Sequence, residues 1–135
     1  MNRKNTSLLI KFLIVLLTLT MPNINNANEI LIYADKISYD DKDNIIARGN
    51  AKIFQDNKLI ISDLIIYNRQ EDKILLPNKF IFKDENNNYF EGENGFFIKN
   101  LNFAEFDNPK IKLNDGSRII GKKIKRDGDI DIISK

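Results

Sequence analysis

Three short groups of residues in this chain have types or spacings that could support chemistry. Residues 116–122 (GSRIIGK) have the glycine and lysine spacing of a phosphate-binding loop. In such a loop the lysine is followed by Ser or Thr, which reaches the magnesium ion, whereas this chain has Lys123 there. Ile119 and Ile120 also favour a strand over the start of a helix. We therefore interpret the segment as a turn followed by a short strand.

The other two groups are built from carboxylates. Residues 127–131 (DGDID) begin like a calcium loop, but the sixth position is Ile132, where the loop requires Gly. A solvent-exposed strand end is the better interpretation. Glu91 and Glu93 lie on one face of a predicted strand and could in principle act as an acid and a base. Because no apolar pocket is evident to separate their pKa values, we interpret them as surface residues.

The chain has 135 residues, with no histidine and no cysteine. Ser–His and Cys–His dyads are therefore excluded, and so are disulfides. The commonest metal ligand and the usual general base are missing as well. We predict no catalytic residue, no metal site and no cofactor, and we interpret the protein as a non-enzyme.

Residues 1–27 have the order of features that is typical of a secretory signal peptide. A positive start at Arg3 and Lys4 is followed by an uninterrupted apolar run over residues 12–17, and Ala27 precedes the expected cleavage point. We predict a signal peptide over residues 1–27 and one mature domain over residues 28–135.

A retained membrane anchor is the alternative interpretation of this segment. The apolar window covers residues 8–21 and already contains Lys11. A spanning helix needs about 17–25 apolar residues, so cleavage is favoured.

The positive charge of the chain belongs to the signal peptide. The whole chain has a formal charge of +2, with 21 Lys and Arg and 19 Asp and Glu. Three of the basic residues and none of the acidic ones lie in residues 1–27, which leaves 18 basic residues against 19 acidic ones, a charge of −1. Both signs alternate along the mature part. We therefore predict no nucleic-acid partner, because no basic face for a polyanion is visible.

Residues 28–135 predict an all-β fold. Runs of about four to ten residues rich in Ile, Phe and Tyr alternate with Asn/Asp turn clusters, and no stretch keeps apolar residues at helical spacing. The strands also repeat loosely: residues 34–39 recur at 62–67 and at 93–98. Such a period is typical of stacked supersecondary units that share one core. A sandwich, a barrel or an open roll would each satisfy the pattern.

The repeat carries a resemblance to a known family. Ala34-Asp35, followed by Gly49-Asn50-Ala51, resembles the signature of the OstA-like periplasmic domain of the lipopolysaccharide-transport family. LptA and the amino-terminal part of LptD share this domain. Ser62-Asp63 repeats the first half of the signature, whereas the copies at residues 77–79 and 108–110 are degenerate. The resemblance covers roughly residues 29–124.

The resemblance implies an open β-jelly roll of repeated short antiparallel strands after the signal peptide. It also implies a non-enzymatic conduit that binds lipopolysaccharide in the periplasm, at or near the outer membrane. The acyl chains of lipid A would lie in an interior that is open along one side, where apolar transfer gains about 25 cal/mol per Å². The residues that we expect to line this groove are Ile37, Tyr39, Ile53, Ile65, Tyr67, Phe80, Phe82, Phe96, Ile98, Ile111 and Leu113.

The two ends of the mature domain are expected to be partner-binding strand edges. The first and last strands have no evident hairpin partner, and the first lacks the Pro or charge that normally blunts an edge. We expect them to dock other Lpt components, or further copies of this chain, by strand addition. The edge residues are Ile30, Leu31, Ile32, Tyr33, Ile130 and Ile132.

Several identities remain open at this point. Within the family an LptD-type amino-terminal domain is favoured over an LptA-type protein, because residues 128–135 resemble the strand that leads on towards a cysteine and a barrel in LptD. Neither of these occurs in this chain. The alternatives are an anchored LptC-like component and an unrelated exported β-domain that binds sugar or protein.

Overall fold

The structure is a computed structural model that describes residues 29–135; the predicted signal peptide lies outside the described residues. Every regular element in the described range is a strand, so the all-β prediction is confirmed. The strands are β1 (Leu31–Tyr33), β2 (Lys36–Tyr39), β3 (Ile45–Gln55), β4 (Lys58–Asn68), β5 (Lys73–Leu76), β6 (Phe80–Lys83), β7 (Tyr89–Ile98), β8 (Phe103–Lys112), β9 (Arg118–Ile120), β10 (Lys123–Asp127) and β11 (Ile130–Ser134).

Alternation and turn chemistry explain these elements. Along β3 and β4 buried and exposed side chains alternate, as expected for a sheet with one face on a core. Asp56 and Asn57 join the two strands in a two-residue hairpin, and both have positive φ angles of 49° and 61°. Asp and Asn are among the residues that tolerate this left-handed conformation, so the turn is encoded locally. No helix that could cross a bilayer occurs in residues 29–135.

All eleven strands pair antiparallel in one sheet that is bent along a line, which we call the corner. The long strands β3, β4, β7 and β8 pass through the corner, and two of their pairings change register there. Half-sheet A contains β1, β6, β9 and the adjoining parts of the long strands. Half-sheet B contains β2, β5, β10, β11 and the other parts. The bend lets the two half-sheets face each other as two layers.

The corner is marked by a repeated hydrogen bond between an acidic side chain and an Asn fifteen residues later. The Asn donates its side-chain N–H to the carboxylate in each pair, at 2.9 Å in the first and 3.0 Å in the second. The pairs recur at the period of the sequence repeat, which is therefore visible in the structure as this series of contacts. They are Asp35 with Asn50, Asp63 with Asn78, and Glu93 with Asn108.

The core lies between the half-sheets and is rich in phenylalanine. The ring centroids of Phe80 and Phe106 are 5.0 Å apart, and those of Phe82 and Phe97 are 4.8 Å apart. Each pair joins half-sheet A to half-sheet B at a distance favourable for aromatic contacts. At the corner Gly92 makes room for this packing, because a Cβ atom there would overlap the Phe106 ring.

The ends of the roll are strand edges, but the terminal strands are not unpaired. Leu31–Tyr33 pairs with β3, and Ile130–Ser134 forms a hairpin with β10, contrary to the expectation that neither would have a partner close at hand. Within the described residues each of these two terminal strands is paired on one side only. β1 and β2 form the amino-terminal end of the roll, and β9 and β11 form its carboxyl-terminal end.

Candidate functional site

The candidate site is the apolar interior of the roll. Its middle is filled, because the inward side chains of both half-sheets are almost completely buried there. Successive side chains of a strand point to opposite faces of the sheet, so each half-strand contributes every second residue to this interior. The largest fully buried side chains are Phe82, Phe90, Phe97, Phe106, Ile53, Ile60, Ile65, Leu76, Leu101 and Ile124.

The interior reaches solvent at both ends. Ile37 lies directly opposite Ala47, a core residue, and therefore faces inward, yet 46% of its surface is exposed. Tyr39, two residues later on the same face, is 65% exposed. At the other end Ile119 pairs with buried Ile111 and is 37% exposed. The apolar inner face therefore continues to an open mouth at each end.

Polar side chains bridge the two half-sheets along the long side opposite the corner. We call this side the seam. Lys58 donates to the Asn102 side-chain oxygen at 2.7 Å, and Gln55 donates to Asn100 at 3.1 Å. These bonds join the β3–β4 turn of half-sheet A to the β7–β8 turn of half-sheet B. The expected roll was open along one side, whereas the structure has side-chain contacts across that side and openings at its two ends.

A buried ion pair forms the second part of the seam. Arg126 on β10 donates from Nη2 to the Asp84 carboxylate at 3.3 Å, and both side chains are almost fully buried. The guanidinium also lies over the rings of Phe82 and Phe90, 5.4 and 4.9 Å from their centroids. Among the described residues its Nη1 atom has no hydrogen-bond partner. Cation–π contact with the two rings offsets part of the cost of burying the charge.

The β7–β8 turn that carries the seam has an unusual backbone. Lys99, Asn100 and Leu101 have consecutive positive φ angles of 52°, 56° and 62°. Left-handed backbone costs an L-residue about 1–2 kcal/mol, and it is least expected for Leu. This conformation turns Leu101 into the core, where it is 2% exposed, and brings Asn100 to the seam. Burial of Leu101 and the seam hydrogen bonds offset the backbone cost.

Burial changes the pKa of two groups near the interior. It raises the pKa of the Tyr67 hydroxyl, helped by the negative charge of Asp72, which accepts its hydrogen bond at 3.2 Å. Burial also raises the pKa of Asp131, which lies 3.9 Å from Nε of Arg126. Arg126 opposes this shift, whereas Asp84 adds to it.

Most of the eleven predicted groove residues lie on the inner face. Six are buried in the core: Ile53, Ile65, Tyr67, Phe80, Phe82 and Ile111. Ile37 and Tyr39 face inward at the amino-terminal mouth, and Leu113 packs against the core just beyond β8. Whether any of them contacts lipid stays a prediction.

Phe96 and Ile98 were predicted to point into the groove, and for these two residues the prediction was wrong. The buried residue of this half-strand is Phe97, so its neighbours point outward and are only partly buried. Phe96 pairs with Leu75 on the outer face, under the ammonium group of Lys73 at 5.0 Å. The inward parity of β7 changes at the corner, from Phe90 to Phe97, because of the register shifts between them.

Several interior residues were missed by the sequence interpretation. Phe90 and Phe106 carried a usable signal, because each stands at period-2 spacing from a small residue, Gly92 and Ala104. Leu101 had no such signal, since it lies in a turn. The missed core residues are Ala47, Ala51, Ile60, Ile74, Leu76, Phe90, Phe97, Leu101, Ala104, Phe106 and Ile124.

The three groups with possible chemistry take the structural roles that the sequence favoured. Residues 116–122 form a turn and the strand β9, with no helix after them. Gly128 lies in the β10–β11 turn with a φ of 61°, and Glu93 accepts the Asn108 hydrogen bond of the corner. Within residues 29–135 no three acidic side chains are arranged to hold a metal ion.

Comparison with known proteins supports the fold. No family model matches this sequence, and no curated protein matches it. Among solved structures, the chain is similar to LptH from Pseudomonas aeruginosa, described as the LptA-homologous periplasmic component of the conserved lipopolysaccharide transport device. The identity is 16%, the TM-score is 0.67, and the match covers 78% of this chain and 82% of LptH. The chain therefore has the predicted β-jelly-roll fold, which it shares with LptH.

Proposed function

We propose that this protein is a non-enzymatic conduit domain that carries lipopolysaccharide through the periplasm, towards the outer membrane. The fold that it shares with LptH, a component of a lipopolysaccharide transport device, supports the proposal. The observation that carries it is the inner face that stays apolar and exposed at Ile37, Tyr39 and Ile119. An acyl chain entering either mouth meets apolar side chains and leaves its sugars in water.

The packed middle of the roll has to open for a lipid to pass. The half-sheets are joined by covalent backbone at the corner, but only by side chains at the seam. Separating them at the seam therefore exposes the interior and leaves the sheet pairing intact. Burial of the acyl chains between the half-sheets, worth about 25 cal/mol per Å² of apolar surface, then offsets the loss of the core contacts.

The place of the domain in such a system is the finer part of the proposal. We favour the LptD-type amino-terminal arrangement, on the resemblance of residues 128–135 described above. An LptA-type bridge and an anchored LptC-like component use the same roll. A barrel-coding sequence directly downstream of this domain supports the first arrangement, and a neighbouring transporter ATPase supports the second.

Photo-crosslinking from neighbouring residues on opposite faces tests the interior path. A crosslinking amino acid at Ile37 or Ile133 points inward at either end of the roll, whereas one at Lys36 or Ile132 points outward. All four positions are at least partly exposed, and none of them belongs to the fully buried core. We expect lipopolysaccharide adducts from the inward positions only.

The outcome separates the proposal from its competitor. Equal labelling from inward and outward positions would rule out an interior path. Failure of all four positions to capture lipopolysaccharide, together with binding of a soluble sugar or peptide, would favour an unrelated exported β-domain.

We also propose that the end strands dock partners by strand addition. Leu31 and Ile132 lie on strands that are paired on one side only, and both side chains are exposed. Proline at either position removes a backbone donor and should abolish assembly with Lpt components or with further copies. Circular dichroism checks that the monomer remains folded.

A second pair of variants keeps this test informative if proline unfolds the strand. Leu31→Lys and Ile132→Lys leave the backbone donors in place and add charge to outward positions, which blunts an edge. Unchanged assembly with folded variants of both kinds would contradict edge docking.

A further inference from the structure

Cationic side chains are concentrated on the outer face of half-sheet A near its carboxyl-terminal edge. The pairings of β6, β7, β8 and β9 place Lys83, Tyr89, Lys112 and Arg118 side by side in one row across four strands. We call this the cationic row. Lys112 and Arg118 are directly opposite each other, and both are exposed. Like charges in this position destabilise a sheet.

No acidic side chain of the described range neutralises the row. None of its three cations has a carboxylate within ion-pair distance in residues 29–135. Glu91, in the adjacent row, lies directly opposite Lys110 and balances that fourth cation at most. The nearest aromatic partner is Tyr89, whose ring lies 5.5 Å from the Lys83 ammonium. The mature chain as a whole is close to neutral, so this concentration is local.

The cationic row borders a groove with an apolar side. This groove of about 540 Å³ is lined by three cations, Lys110, Lys112 and Arg118, by one acid, Glu91, and by apolar Ile111, Ile119 and Ile120. Ile119 belongs to the inner face at the carboxyl-terminal mouth, and Ile120 is exposed on the outer face. Positive charge and the opening of the apolar interior therefore lie on opposite faces of the same edge strand, β9.

We infer that the cationic row binds phosphate groups of an anionic lipid whose acyl chains enter the carboxyl-terminal mouth. Arg and Lys side chains are the usual partners of phosphate, and Arg can hold two of its oxygens at once. An anion between Lys112 and Arg118 removes their mutual repulsion, which the folded protein alone leaves uncompensated. The inference rests on the proposed lipid-carrying function and adds a headgroup site that faces outward, at one end of the conduit.

Equilibrium binding of two lipids to three proteins tests the inference. The lipids are lipid A with its phosphates and the same lipid after removal of the phosphates. The proteins are the wild type, the double variant K112Q/R118Q, and K36Q/K52Q as the matched control. The control removes two exposed cations at the other end of the roll, which also have no ion pair among the described residues.

We expect K112Q/R118Q to weaken binding of phosphorylated lipid A about three- to tenfold at low ionic strength. Each exposed charge pair is worth about 0.2–1 kcal/mol, and a tenfold change in affinity corresponds to about 1.4 kcal/mol. Its affinity for the dephosphorylated lipid should equal that of the wild type. The difference should shrink in about 1 M salt, where the Debye length is only about 3 Å. Because the substitution removes a repulsion, the melting temperature should stay the same or rise.

Each contrary outcome has a distinct meaning. Equal affinity of K112Q/R118Q and wild type for phosphorylated lipid A would overturn the headgroup site, and the proposed conduit would stand. If no protein binds either lipid, the proposed function itself fails. Inorganic phosphate that saturates the row as tightly as the phosphorylated lipid does would also overturn the inference and indicate a free-anion site.

Discussion

At the scale of single residues, positive charge is used in two opposite ways in this roll. Arg126 is buried, paired with Asp84 and stacked on two phenylalanine rings. Lys112 and Arg118 are exposed and face each other without an acid between them. The first arrangement contributes to closure of the seam, because both members of the pair are desolvated and come from different half-sheets. The second leaves a charge available to a ligand.

Asp84→Asn should destabilise the fold by about 3 kcal/mol, because it leaves the buried guanidinium with Asp131, at 3.9 Å, as its remaining carboxylate and disturbs the hydrogen bonds that Asp84 accepts from Asn86 and Asn88. The loss of unfolding free energy is measured by urea denaturation, in which the m-value should stay unchanged. The matched control is Glu105→Gln, which removes the partner of Lys123 and Lys125 on the surface and should cost under about 1 kcal/mol. A similar loss for both variants would show that the seam pair is no more important than a surface pair.

The raised pKa of Asp131 predicts a pH-dependent stability. Burial raises it above the ordinary 3.8, against the attraction of Arg126, so the folded state binds this proton more tightly than the unfolded state. The unfolding free energy should therefore fall as pH rises from about 3.8 through the folded-state pKa. Asp131→Asn should raise the melting temperature at neutral pH and leave it unchanged near pH 3.

Asp40 provides a comparison, because its pKa is shifted in the opposite direction to that of Asp131. The side-chain hydrogen bond from Asn44, followed by its backbone N–H, lowers the pKa of Asp40. Its contribution is therefore present above pH 3.8 and lost as pH falls through the folded-state pKa. Asp40→Asn should lower the melting temperature at neutral pH. The same direction of change for both variants would contradict this assignment.

At the scale of elements, the sequence repeat has a mechanical role. Each repeat ends its first half-strand with an acidic residue that accepts a hydrogen bond from an Asn fifteen positions later. The bond ties neighbouring strands together where the sheet bends and where regular ladder pairing is interrupted. In the first repeat Gly49 lies against Asp35, whose N–H donates to the Gly49 carbonyl at 2.9 Å. The corner therefore requires a small residue here.

Gly49→Ala should destabilise the domain more than Gly116→Ala does. Both glycines have positive φ angles, of 75° and 88°, which cost an alanine about 1–2 kcal/mol. Only at Gly49 would the new Cβ atom meet another group, the Asp35 carboxylate at 2.6 Å, whereas nothing lies within 4 Å at Gly116. We expect about 1–3 kcal/mol of additional loss from this overpacking, measured by thermal unfolding. Equal losses would mean that Asp35 moves away freely.

At the scale of the whole molecule, the roll combines a filled middle, two open ends and one cationic row near the carboxyl-terminal mouth. Exposed apolar side chains lie at both mouths, Ile37 and Tyr39 at one and Ile119 at the other, and facing exposed cations occur at both ends, Lys36 with Arg48 and Lys112 with Arg118. Openings at both ends fit the proposed passage of lipid from one end to the other. Its export remains a prediction from residues 1–27.

The exported protein should lack residues 1–27. Mass spectrometry of protein recovered from a periplasmic extract should give a chain that starts at Asn28, because the apolar window is short and interrupted by Lys11. Intact Met1 in a membrane fraction would contradict cleavage and favour the anchored, LptC-like alternative.

The sequence by itself determined the strand class, the turns and the repeat. These depend on neighbouring residues: Asp and Asn supply left-handed turns, and alternation fixes which side chains share a face within one half-strand. Asp35, Asn50 and Asp63 were recognised in the sequence because the period places them at equivalent points. The inward positions of Ile53, Ile65 and Phe82 also followed from local alternation.

Only the tertiary structure decided which face continues across the corner and what closes the seam. An irregular pairing at the corner changes the parity of β7, so Phe97 and not Phe96 is buried, and nothing in a local pattern records that shift. Asp84 and Arg126 are 42 residues apart, and Gln55 and Asn100 are 45 apart. Such contacts depend on how the bent sheet brings distant turns together, which alternation along one strand cannot specify.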